Sequence, residues 1–70
     1  MKLPVVLRTG EARYIVAEVP VMPGCISQGK TVKEALANIK EAAELCLESA
    51  KEEGWIPIDE YTIEQIEVAA

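Results

Sequence analysis

The residues from Thr31 to Gly54 leave this chain little choice of architecture. Thr31 stands three residues ahead of Glu34, the spacing at which a hydroxyl and a carboxylate each satisfy a backbone N–H at a helix start. Gly54 supplies the residue that accepts left-handed backbone at a helix end. Between them, a turn of about 100° per residue gathers Val32, Ala35, Leu36, Ile39, Ala43, Cys46 and Ala50 on one stripe. Lys33, Ala37, Lys40, Glu41, Glu44, Glu48 and Lys51 take the opposite side, and Leu47 and Lys40 border the stripe. One long helix from Val32 to Glu53 is expected, with small residues on its apolar face so that it can lie close to a sheet. Leu45 falls outside the stripe among Glu34, Glu41 and Glu52. It is either a lone surface leucine or a contact for a second chain.

The residues ahead of the helix read as short strands. Leu3 to Thr9 is β-branched, with Pro4 near its start where a missing N–H is tolerated, and Gly10 marks a reversal. Ala12 to Val19 follows as a second strand, ended by Pro20. Period-two alternation sets Leu3, Val5, Leu7, Ile15, Ala17 and Val19 beneath the helix. It leaves Val6, Arg8, Tyr14, Val16 and Glu18 on the far face, more apolar than a solvated surface needs. Pro23-Gly24 is a tight-turn pair, and Cys25 to Gly29 is a third strand. After Gly54, Trp55 is expected to fold back over the helix end. Thr62 to Ala69 is read as a last strand whose broken alternation calls for a bulge near Gln65. The fold class is α+β in the order β-β-β-α-β: an antiparallel meander, a helix on one face, and a final strand parallel to the first. That gives the strand order 3-2-1-4, although the edge beside strand three is also open to the last strand.

Pro23-Gly24-Cys25, Gly29, Thr31, Glu34-Ala35, Asn38-Ile39 and Glu41-Ala42 stand in an ordered set that resembles the HicB-like antitoxin family over about Tyr14 to Ile58. The resemblance implies a truncated ribonuclease-H-like fold. It also implies a function, the neutralisation of a small basic HicA-type mRNA-cleaving toxin by covering its RNA-binding surface. Of the matching residues, Pro23, Gly24, Thr31 and Glu34 look architectural. Two positions depart from the family pattern: Val21-Met22 follows the first proline where an acid is usual, and Lys30 replaces an acid before the threonine. No residues here match the DNA-binding segment that many members append, so DNA binding is not carried over.

Composition agrees with a binding role. Seventy residues make one domain, residues 1–70, with a core small enough that a homodimer or higher homo-oligomer is expected to add buried area. With 7 Lys+Arg against 12 Asp+Glu the net charge is −5, which disfavours direct nucleic-acid contact and favours a basic partner. MKLPVVL is too short for a signal-peptide core and no apolar run reaches membrane-spanning length, so a cytoplasmic, membrane-free protein with two reduced thiols is expected.

Catalysis is not expected. The chain has no histidine to activate Cys25 or Ser27. Its first strand, LPVVLRT, lacks the carboxylate that two-metal nuclease chemistry takes from that place in the ribonuclease-H-like fold. Gly24 to Thr31 does match G-x-x-x-x-G-K-T, but CISQ is better read as a strand, and a chain this short cannot form a doubly wound sheet. No metal or cofactor is therefore expected. Contact candidates for a toxin, chosen by exposure, are Tyr14, Val16, Glu18, Glu41, Leu45 and Trp55. A homo-oligomeric adaptor or ligand-sensing module with no toxin partner is the alternative.

Overall fold

Helix α1 spans Val32–Glu53, and both its ends are fixed by local chemistry. The structure is a computed structural model that describes residues 2–55 and 61–69. Thr31 Oγ1 accepts the Glu34 N–H at 3.1 Å. The Glu34 carboxylate in return accepts the Lys30 N–H at 3.2 Å, one residue earlier than in the usual reciprocal box. A cap of this kind contributes about 1 kcal/mol. At the other end Gly54 adopts φ +84° and its N–H reaches the Lys51 carbonyl, while the Trp55 N–H reaches the Ala50 carbonyl at 3.0 Å. These two bonds close a glycine stop.

Three strands precede the helix: β1 Val6–Thr9, β2 Ile15–Glu18 and β3 Ile26–Gly29. They form an antiparallel sheet in the order β1-β2-β3, with Leu7 opposite Ala17 and Ala17 opposite Ser27. Between β2 and β3 the Cys25 N–H bonds the Met22 carbonyl at 3.1 Å, with Pro23 and Gly24 (φ +77°) at the turn centre. That is the glycine-dependent turn the Pro-Gly pair predicts.

The second strand starts three residues later than expected. Ala12 and Arg13 both sit in left-handed backbone, φ 55° and 64°, within a 3-10 turn at Glu11–Arg13, so neither can extend a strand. Gly10 has a steric role here. A Cβ on it would lie 2.7 Å from Val16 Cγ2 on the far face.

The helix packs chiefly on β3, then on β2. Contact is closest at Gly29, where an added Cβ would come within 2.5 Å of the Ala35 backbone nitrogen. Asn38 Nδ2 donates to the Gln28 carbonyl at 2.8 Å and ties the helix to the same strand. The core consists of Ala17, Val19, Met22, Cys25, Ala35, Ile39 and Ala43, with Leu3, Ile15, Val21, Ala42, Cys46 and Leu47 packed around it.

This offset corrects the sequence reading at two places. Val32 and Leu36, expected in the buried stripe, are exposed, as are Val5 and Leu7, expected beneath the helix. Leu7 shares the helix-side face with Ala17 by register, yet the helix lies over the other two strands and leaves it 40% exposed. The last strand is corrected as well. Residues 61–69 form no strand and are exposed throughout, so the order 3-2-1-4 is not seen. The sheet contributes an open edge at β1, but no hydrogen-bond ladder holds those residues to it.

Candidate interaction surfaces

Most of the six expected contact residues fall on two apolar surfaces outside the core. The first is the sheet face away from the helix. Cross-strand register places Val6, Glu18 and Ile26 in one row and Arg8, Val16 and Gln28 in the next. Arg8 Nη1 donates to Glu18 Oε1 at 2.9 Å, an exposed ion pair of little energetic weight that fixes the polar centre of the face. Val6 and Ile26 are exposed on either side of Glu18, and Val16 and Tyr14 are half-buried. Ile26 was missed in choosing candidates. It follows Cys25, which is buried, so alternation alone would have placed it on the outer face.

The second surface is a groove of about 300 Å³ at the C-terminal end of α1. Leu45 and Trp55 line it together with Met22, Pro23 and Cys46. Trp55 does turn over the helix end, its indole Nε1 donating to Glu53 Oε2 at 3.1 Å. Leu45 is 61% exposed and forms one wall of the groove. Glu41 is exposed on the helix and lines neither surface.

The groove borders the thiol pair. Both cysteines are free, Cys25 buried and Cys46 half-buried. Burial, then the hydrogen bond and charge of Cys46, push the Cys25 thiol up to about 11 from 9.0. The fold therefore holds this thiol protonated. Its contribution to stability is complete below pH 9.0 and is lost as pH rises toward about 11, because the unfolded chain's thiol ionises first. At about pH 8 an aromatic disulfide reagent is expected to modify Cys46 in the native protein and to reach Cys25 only on unfolding. Equal rates at the two sites would contradict this burial.

Among the described residues no group of three or more His, Cys, Asp or Glu side chains could hold a metal ion. The G-x-x-x-x-G-K-T run makes no phosphate loop. Its interior is strand β3, and the backbone N–H groups of Lys30 and Glu34 are already bound by the Glu34 carboxylate and Thr31 hydroxyl. Among the described residues no helix is long and apolar enough to cross a membrane.

A three-stranded sheet bearing one helix, with an uncovered apolar face and a second groove, defines a small α+β protein with surfaces suited to binding other chains. The family model described as HicB_like antitoxin of bacterial toxin-antitoxin system matches residues 3–69, and the chain belongs to this HicB-like antitoxin family. It is similar to a UPF0150 protein of Thermoplasma acidophilum, 53% identical over 51 residues that cover 73% of this chain and 74% of that protein. A UPF0150 protein of Archaeoglobus fulgidus is 43% identical over 51 residues, with the same coverage of 73% and 74%. No solved structure matches the chain.

Proposed function

We propose that this protein neutralises a small basic HicA-type mRNA-cleaving toxin by lying over its RNA-binding surface. Membership of the antitoxin family over residues 3–69 carries the reading. The uncovered sheet face supports it: Val6, Val16 and Ile26 offer apolar contact around the Arg8–Glu18 ion pair, with Tyr14 just ahead of β2. A net charge of −5, concentrated in residues 31–70, draws a cationic partner toward the chain as a whole. The mechanism is occlusion without turnover, with no cofactor and no direct nucleic-acid contact by this domain, in the cytoplasm and as a homo-oligomer. Leu45 and Trp55 form a separate groove at the helix end, and Glu41 contributes only to the acidic field.

The test pairs the purified protein with any short basic protein encoded beside it and follows both binding and RNA cleavage. Stoichiometric binding and loss of cleavage are expected. Val16→Lys should weaken binding by about 100-fold with unchanged far-UV circular dichroism, since it places a second cation beside Arg8 on a face that meets a basic surface. If no basic neighbour binds and the protein is a stable homo-oligomer alone, the adaptor or ligand-sensing reading takes its place.

A further inference from the structure

We infer that two copies of this chain exchange their C-terminal segments, residues 61–69 of each adding as a strand along the open β1 edge of the other. The inference gives a structural form to the homo-oligomer proposed above and does not depend on the toxin.

Complementary surfaces are left uncovered in the single chain. Among the described residues β1 is hydrogen-bonded to β2 alone, which leaves its outer edge open to a partner. The other edge strand is held by the helix through Asn38 on the Gln28 carbonyl and through the close approach at Gly29. Beside the β1 edge, Leu7 faces the helix side without being covered by it. Residues 61–69 meanwhile present Ile63, Ile66 and Val68 to solvent at 70%, 85% and 71% exposure. Three large aliphatic side chains so placed are a poor end state in water, each fully buried one being worth about 1.5–3 kcal/mol.

Charge selects the same pairing. Residues 1–30 carry four Lys+Arg against two Asp+Glu, a net +2, whereas residues 31–70 carry three against ten, a net −7. Within 61–69 the charged residues are Glu64 and Glu67. On the receiving hairpin Lys2, Arg8 and Arg13 are exposed, Lys2 ahead of β1, Arg8 on it and paired with Glu18, and Arg13 in the turn that follows. A two-fold arrangement sets each acidic segment against the other copy's basic hairpin and satisfies both edges at once. Each added strand also gives the uncovered side of Leu7 a neighbour.

Light scattering on the full-length chain is the first measurement, with a dimer of twice the 7.6 kDa chain mass expected. A benzophenone photocross-linker at position 66, in a mixture of 14N- and 15N-labelled chains, then reports which chain the segment touches. Cross-links to residues 5–9 should be of mixed isotope composition. Adding the 61–70 peptide in excess should convert the dimer to a monomer–peptide complex, and Ile66→Lys should give a folded monomer. Same-isotope cross-links would mean that the segment closes on its own β1 and would overturn the exchange. A dimer unaffected by peptide or by Ile66→Lys would overturn it too while leaving a homo-oligomer standing, whereas a monomer at all concentrations would remove both.

Discussion

Gly29→Ala is expected to cost about 2–3 kcal/mol of stability and to lower the melting temperature by about 10–20 °C. The new methyl group would lie 2.5 Å from the Ala35 nitrogen, 2.8 Å from the Glu34 carbonyl carbon and 3.0 Å from the Ala35 Cα. All three are backbone atoms of the first helical turn, so no side chain can rotate away. Relief requires the helix to lift off β3, which would break the Asn38 bond to Gln28 and open the packing around Ala35. Replacing glycine also removes freedom from the unfolded chain, an opposing gain of about 0.4–1 kcal/mol, which the clash outweighs. Gly24→Ala is the internal control. It sits at φ +77° with nothing within 4 Å, so its penalty is conformational alone, about 1 kcal/mol. Urea unfolding followed by circular dichroism measures both. Equal losses, or a larger loss at Gly24, would mean that the helix is not seated on Gly29.

This contact shows what could be read from the residues and what could not. The helix limits were legible because the chemistry that sets them is local: Thr31 and Glu34 begin it, and Gly54 ends it. The Pro23-Gly24 turn was legible for the same reason. The start of β2 was not, since Ala12 and Arg13 adopt left-handed backbone that neither residue type announces. Nor was the lateral position of the helix. Periodicity gives a helix its apolar side but not the strands that side will rest on. A shift toward β3, permitted by Gly29, is what leaves Leu7, Val32 and Leu36 in solvent.

The candidate surfaces divide along the same line. Val16 and Glu18 share a face because strand alternation is local, whereas Tyr14 precedes the strand as the cap of the 3-10 turn. Leu45 and Trp55 meet across Met22 and Pro23, a juxtaposition that exists only once the β2–β3 loop packs beneath the helix end. Residues 61–69 carry three well-spaced aliphatic side chains, but a strand exists only with a partner, and in the single chain none is taken.

Ile39→Ala should be the most damaging truncation in the helix, at about 3 kcal/mol, which would leave so small a domain close to its unfolding midpoint. The buried residues of α1 are Ala35, Ile39, Ala43 and Ala50, so Ile39 is the one fully buried side chain of the helix larger than a methyl group. It is 2% exposed and packs in the same cluster as Met22, Val19 and Cys25. The side chains around it relax only partly into the space that three lost carbon atoms leave, so a cavity term adds to the lost burial. Leu36→Ala removes as many carbon atoms three residues away, about 60° around the helix, where the side chain is exposed. Its loss should be under about 1 kcal/mol, part of it offset by alanine's better helix propensity. Denaturant unfolding should be run at dilutions where light scattering shows monomer, so that contacts between copies do not enter. A larger loss at Leu36 than at Ile39 would place the helix about 60° away from the orientation that buries Ile39 over β2 and β3. In that case the offset that uncovers Leu7, and the receiving edge that depends on it, would have to be withdrawn together.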